Sequence, residues 1–381
     1  MKKKIKIVAD KNIPFLKGAL QPYAEIIFSE PKNINNYSVK DADALLIRTR
    51  TKCNSELLKN SNVKFIATAT IGYDHIDTKY CAENGIKWTN APGCNSSSVQ
   101  QYMASAILTY ANRKKIDLKE LTIGIVGAGN VGKKAAKLAD IFGMKALLND
   151  PPRERAEGKL KFVPLEEIIK KADIITFHVP LNLEGTDKTF HLADEKFFNE
   201  VKNSAIVINT SRGPVVDNEA LKEALKRKKI EAAILDVWED EPEIDLELLE
   251  MVEFGTPHIA GYSSDGKANG TAAAVNAVND FFNLGLPKKW YPEIPKAENS
   301  KAIIIDCESK SDREIIYEAV THTYKIAEDD HRLKKTPFDF EKLRNVYRTR
   351  REFPYYIIKL KNCGEEIRSK FKYLGFKIIQ T

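Results

Sequence analysis

Three glycines, Gly127, Gly129 and Gly132, stand at the spacing that lets a backbone cradle a phosphate. The first glycine of such a triad allows a tight turn. The second lets a pyrophosphate approach the main chain, and the third lets a helix pack close to a strand. The triad, Gly127-Ala128-Gly129-Asn130-Val131-Gly132, follows the apolar run Thr122–Val126, which reads as a buried parallel strand. It precedes Lys133–Phe142, which reads as a helix whose N-terminus offers free N–H groups and a favourable dipole to an anion. A second strand, Lys145–Asn149, ends at Asp150, 18 residues beyond Gly132. A carboxylate there accepts hydrogen bonds from two ribose hydroxyls and repels a 2′-phosphate, so NAD is expected rather than NADP. Arg153 is a counterweight, read as a loop arginine behind Pro151-Pro152. Arg212, Asp236 and His258 follow later strand-like runs, at the carboxyl ends where an α/β sheet builds its site.

The elements that must hold these residues alternate strand with helix, which predicts parallel sheets. Ile5–Ala9, Ala44–Ile47 and Phe65–Ala69 are strand-length apolar runs, with helices expected over Pro14–Leu20 and Ser55–Leu58. A turn at Asn90–Gly93 leads to a helix over Ser97–Asn112, with Ser96–Ser98 available as caps. Strands at Ile174–Phe177, Ala205–Asn209 and Ala232–Asp236 extend the central sheet, and an alanine-rich helix is expected over Ser264–Leu284. A linker rich in proline and aromatic residues, Leu286–Pro295, separates a last segment. That segment carries strands at Ala302–Asp306, Tyr355–Ile358 and Phe376–Ile379 and reads as a small α+β domain.

At 381 residues the chain is long enough for two or three cores. A hydrophobic share of 43% with 30% charged residues excludes a disordered chain, and no apolar run reaches membrane-spanning length. Met1-Lys2-Lys3-Lys4 is basic, but the apolar stretch behind it is broken by Lys6 and is too short for a secretory signal. Five scattered cysteines with no metal-type spacing are expected to be free thiols of a reducing compartment, so a cytoplasmic location and no bound metal are expected. The net charge is +7, and residues 288–381 hold 21 Lys and Arg against 15 Asp and Glu. The two signs are interspersed there, which argues for a solvated surface with a local anion site and against a nucleic-acid partner.

Three segments resemble motifs of the D-isomer-specific 2-hydroxyacid dehydrogenase family. Ile208–Asp217 is similar to its arginine motif, Leu235–Pro242 to its glutamate motif and Thr256–Gly261 to its histidine motif. Further likeness in Ala91–Asn95, Phe177–Leu181, His191–Lys196, Gly255–Tyr262, Phe340–Arg344 and Arg350–Phe353 points to the subfamily that oxidises 4-phospho-D-erythronate on the way to pyridoxal 5′-phosphate. The resemblance implies a Rossmann-type NAD-binding domain (97–262) and a flavodoxin-like discontinuous substrate domain (1–96 and 263–286). It also implies a C-terminal dimerisation domain (287–381), so a homodimer is expected, with two helices crossing between the first two domains and a cleft that closes.

Oxidation of a 2-hydroxy acid needs a base, a hydride acceptor and a cation, and the resemblance distributes these roles. His258 would take the hydroxyl proton, since an imidazole titrates near neutral pH. Glu241 would orient the ring, and Arg212 would grip the substrate carboxylate or C2 oxygen. Asp236 would fix the nicotinamide carboxamide. The cofactor set implied is Gly127, Gly129, Asn130, Val131, Gly132, Asp150, Val179, Thr210, Ser211, Asp236 and Gly261; the substrate set is Thr49, Thr70, Gly72 and Tyr262. Arg48, Arg350 and Arg351 are candidates for the substrate phosphate. His75, His178, His191, His322 and His331 read as structural, and Cys94 as a small loop residue. Two alternatives stay open: another enzyme of the family, such as a D-3-phosphoglycerate dehydrogenase, or an NAD-sensing protein without turnover.

Overall fold

A computed structural model describes residues 4–287 and 289–379. Most of the basic start (Met1–Lys3) lies outside the described residues, as do Lys288, Gln380 and Thr381. The chain divides into two compact units: Met1–Asn95 with Ser264–Pro295, and Ser96–Ser263 with Lys296–Thr381.

The first unit is a five-stranded sheet of β1 (Lys6–Asp10), β2 (Glu25–Ser29), β3 (Ala44–Ile47), β4 (Phe65–Thr68) and β5 (Lys87–Thr89). All pairs are parallel and the order is β2-β1-β3-β4-β5, the flavodoxin-like order. β3 and β4 are buried at every position, so both faces are covered and the strands read as continuous apolar runs. Ile7, Leu46 and Phe65 pack with Ala274, Val275 and Val278 of the helix Ser264–Phe282. That helix comes close to the end of β4 because Gly270 lacks a Cβ, which would overlap the carbonyl oxygen of Ala69. The expected helix over Pro14–Leu20 is instead a series of turns, broken by left-handed backbone at Phe15 and Gly18. β2 and β5 escape the sequence reading because they are short edge strands with exposed positions and no clean alternation.

The second unit centres on six parallel strands: β6 (Thr122–Val126), β7 (Lys145–Asn149), β8 (Ile174–Phe177), β9 (Ile206–Asn209), β10 (Ala232–Leu235) and β11 (Phe254–Gly255). Their order is β11-β10-β9-β8-β6-β7. The direction of the order reverses between β6 and β8, and such a switch point opens a crevice at the carboxyl ends of the strands. The glycine turn follows β6 directly. The helix Ser96–Lys114 is buried on nearly all sides from Ser98 to Ala111, as a helix inside a core must be.

A second sheet in this unit holds β12 (Ala302–Asp306), β13 (Ile357–Lys361) and β14 (Lys377–Ile379), all parallel, in that order. Its apolar residues join one continuous cluster with those of the Ser96–Lys114 helix; Tyr102 stacks on Tyr324 with ring centroids 6.0 Å apart. The expectation of five free thiols is corrected here. Cys307 and Cys363 form a disulfide with Cα atoms 5.3 Å apart, within the range a disulfide spans. They follow the paired ends of β12 and β13, a register that a separation of 56 residues does not advertise. Cys53, Cys81 and Cys94 take no part in a disulfide. Among the described residues no helix is long and apolar enough to cross a membrane.

Candidate active site

The glycine turn begins with Gly127 at φ +90°, and a Cβ there would collide with the main chain of His178 and with Val179. At Gly132 a Cβ would overlap the carbonyl oxygen of Gly127, so the helix Asn130–Phe142 leaves the strand only because that side chain is absent. Gly129 differs: nothing lies within 4 Å of the Cβ position, so the approach to the backbone is open. No side chain caps the helix N-terminus at Gly129, which leaves its N–H groups for an anion. Asn130 opens the helix, and Val131 packs against the core.

Asp150 follows the neighbouring strand β7 and caps the helix Pro151–Glu157. Its carboxylate accepts from the Ala128 N–H at 2.9 Å and from the Arg153 N–H at 3.1 Å. The turn and the acid therefore form one rigid unit. Arg153 is turned towards Glu157, bonding it at 2.7 Å through both Nε and Nη2. Its Nη1 donates to the Ala128 carbonyl, so the guanidinium is held beside the glycine turn by Glu157 and the main chain, on the helix Pro151–Glu157 rather than on a loop. On the far side of the switch point, Thr210 has a buried hydroxyl with no hydrogen-bond partner, an acceptor and donor that a bound dinucleotide would satisfy. Ser211 is folded back, its hydroxyl donating to Asn209 Oδ1 at 2.9 Å. The open Gly129 backbone, the uncapped helix and the orphaned Thr210 hydroxyl together fit a dinucleotide.

Beyond β10 the chain forms a short acidic loop. Glu241 Oε1 accepts from the Trp238 N–H at 3.0 Å, and Glu241 Oε2 faces His258 Nδ1 at 2.7 Å. Burial alone would raise the Glu241 carboxyl, but the His258 ring, the Trp238 N–H and the Arg344 cation outweigh it and hold the acid below its usual range. The imidazole is about one-third exposed. With Nδ1 bound to the carboxylate, Nε2 is the nitrogen left to exchange a proton. His258 sits at φ +55°, a conformation that only a well-determined turn maintains for a residue with a side chain.

Asp236 determines that turn. It is 1% exposed and accepts from the N–H groups of Ile259 (2.7 Å) and Ala260 (2.9 Å) and from the Thr256 hydroxyl (2.6 Å). Burial pushes its carboxyl up despite these bonds. The arginine motif joins the same neighbourhood through Gly213, where a Cβ would overlap the main chain of Trp238. Arg212 precedes this contact and donates to the Ser211 carbonyl at 2.8 Å.

Tyr262, four residues beyond His258, accepts at 3.0 Å from Arg344, a residue of the helix Phe340–Asn345. The Arg344 guanidinium lies 5.5 Å from the tyrosine ring centroid, and its Nε has no partner. Arg344 was not singled out from the sequence. The signal was present, since Phe340–Arg344 is one of the segments that carry the resemblance. Arg350 lies elsewhere than the phosphate reading needs: it is 2% exposed and bonded to main-chain carbonyls. Arg351 stacks over Tyr355 at 4.2 Å.

Thr49, Thr70, Gly72 and Arg48 belong to the first unit. Thr49 is exposed just past β3, and Arg48 donates to the Asn12 carbonyl at 2.8 Å. The Thr70 hydroxyl lies 2.7 Å from that of Thr68 and 3.2 Å from the Gly72 carbonyl. His178 is driven down to about 3 by burial and stays neutral. His191 lies between Glu239 at 2.7 Å and Asp217 at 3.5 Å. These three are the metal-like grouping among the described residues, but each ring nitrogen faces a different carboxylate.

Comparisons with known proteins agree with this geometry. A family model described as "D-isomer specific 2-hydroxyacid dehydrogenase, NAD binding domain" matches residues 95–260, and another, "Domain of unknown function (DUF3410)", matches residues 297–375. The chain is 52% identical over 355 residues to an erythronate-4-phosphate dehydrogenase of Bacteroides thetaiotaomicron, covering 93% of this chain and 99% of the relative. An erythronate-4-phosphate dehydrogenase of Escherichia coli O157:H7 is 40% identical, with 92% of each chain covered. The crystal structure of D-lactate dehydrogenase from Aquifex aeolicus, complexed with NAD and lactic acid, superposes with a TM-score of 0.61 at 28% identity, over 73% of this chain and 95% of that one. A 3-phosphoglycerate dehydrogenase from Entamoeba histolytica with NAD+ bound gives 0.61 at 26%, over 77% and 100%. With these relatives matched nearly end to end, the chain belongs to the erythronate-4-phosphate dehydrogenases, NAD-dependent enzymes of the D-isomer specific 2-hydroxyacid dehydrogenase family.

Proposed function

We propose that the enzyme oxidises 4-phospho-D-erythronate at C2 to 3-hydroxy-2-oxo-4-phosphooxybutanoate, in the synthesis of pyridoxal 5′-phosphate. The observation that carries the reading is the Glu241–His258 pair, 2.7 Å apart, with the Arg344–Tyr262 pair on the same unit. Gly127, Gly129, Asn130, Val131, Gly132, Asp150, Val179, Thr210, Ser211, Asp236 and Gly261 would hold NAD, which supplies the two-electron acceptor. Arg212 binds the substrate carboxylate and C2 oxygen through its planar fork. His258 takes the C2 hydroxyl proton at Nε2, and Glu241 stabilises the imidazolium that results. Thr49, Thr70, Gly72 and Tyr262 position the substrate, and Arg344 adds a cation beside Tyr262 for its anionic groups. The division into 1–96 with 263–286, 97–262 and 287–381, the homodimer and the cytoplasmic location complete the reading.

NADH formation with 4-phospho-D-erythronate, beside 3-phospho-D-glycerate, tests it. The first substrate is expected to have the higher kcat/KM. His258→Ala is expected to lower kcat about 10²–10⁴-fold, the usual worth of a general base. A preference for 3-phospho-D-glycerate would overturn the substrate, and full turnover in the variant would overturn the base.

A further inference from the structure

The His258 turn is held from two sides, and only one side belongs to the NAD-binding sequence. The peptide unit between Ile259 and Ala260 gives its N–H to the Asp236 carboxylate at 2.9 Å. The carbonyl oxygen of the same unit accepts from Arg350 Nη2 at 3.2 Å. The next carbonyl, that of Ala260, accepts from the same nitrogen. A buried anion therefore binds the N–H end of the unit and a buried cation its C=O end. Both charges are nearly excluded from water, at 1% and 2% exposure.

Burying a guanidinium is costly, and this one leaves Nε and Nη1 without hydrogen-bond partners. Its surroundings compensate. The Arg350 guanidinium lies 4.5 Å from the Tyr324 ring centroid and 5.7 Å from that of Tyr347. Tyr347 in turn donates to the buried Asp329 at 2.7 Å. Tyr324, Asp329, Tyr347 and Arg350 all come from the region matched as a domain of unknown function. Without the guanidinium the Ile259 and Ala260 carbonyls would lose this donor, so the charge has a use that packing does not supply.

We infer that Arg350 is a positioning residue: through the Ile259 and Ala260 carbonyls the C-terminal region sets the conformation of the His258 turn. The left-handed φ at His258 is the strain that this clamp sustains. The inference rests on His258 being the base, and the tests separate the two.

Arg350→Met and Arg350→Lys are compared with wild type by hydrogen exchange followed by mass spectrometry and by steady-state kinetics. The Ile259 and Ala260 amides are the protected groups, so exchange over residues 256–263 is expected to rise at least tenfold in Arg350→Met. Arg350→Lys should be intermediate, because an ammonium still reaches a carbonyl. With 4-phospho-D-erythronate, kcat should fall at least tenfold in Arg350→Met and recover in part in Arg350→Lys. Unchanged exchange over 256–263, or kcat within threefold of wild type, overturns the inference. If Arg350→Met does not fold, Arg350→Lys decides by the same two readouts. Wild-type turnover that survives His258→Ala fails the base reading alone, since the exchange result stands without it.

Discussion

At the residue scale the chemistry depends on which atoms of one histidine are already committed. Glu241 takes Nδ1 and receives the Trp238 N–H on its other oxygen, so the carboxylate can neither rotate nor drift. The electrostatic balance on Glu241 has a consequence for stability. Its folded carboxyl lies below the unfolded value of about 4.3, so ionisation favours the native state. That contribution is complete above about pH 4.3 and is lost as pH falls through the depressed folded value. Glu241→Gln is therefore expected to melt below wild type at pH 7, with the gap narrowing towards pH 3.5. A gap that stays constant across that range in thermal melts would refute the assignment.

At the element scale the glycine turn separates two roles that a sequence motif states together. Gly132 is a packing position, because a Cβ there meets the Gly127 carbonyl. Gly129 is a binding position, because the space beside it is open. Gly132→Ala is expected to cost roughly 1–3 kcal/mol of stability, as overpacking does. Gly129→Ala should leave the melting temperature of the apoprotein within a degree or two and weaken NAD binding at least tenfold. Calorimetric melts and NADH fluorescence titrations measure both. Equal effects of the two substitutions on stability would contradict this division. The glycine spacing was legible in the sequence; which glycine packs and which admits a ligand was not, because that depends on what faces each one.

At the scale of the whole molecule, residues 296–381 share an unbroken apolar cluster with residues 96–263, so the C-terminal region is bound into the NAD-binding unit. Its sheet nevertheless keeps two edge strands, β12 and β14, and β12 exposes Ile304 at 60%. Val346 and Phe338 on the same segment are also exposed, at 73% and 90%. Exposed apolar residues of this kind are commonly covered by a second chain. Sedimentation equilibrium is expected to return twice the chain mass at micromolar concentration, and a monomer at tens of micromolar would exclude the homodimer.

The parallel sheets, the glycine turn, Asp150 and the arginine, glutamate and histidine motifs were all legible in the sequence. Periodicity and local spacing encode the strands, the turn and its acid, the three motifs are carried by resemblance to the family, and none of these needs distant contacts. Tertiary structure decided what spacing cannot encode: the turn in place of a helix at Pro14–Leu20, the Cys307–Cys363 pairing and the edge strands β2 and β5. It also decided the fate of the C-terminal arginines. Arg344 meets Tyr262 and Arg350 is buried beneath the His258 turn, two contacts made across 82 and 90 residues of chain. A charged residue in a mixed-charge segment looks like surface until folding shows what it is buried against.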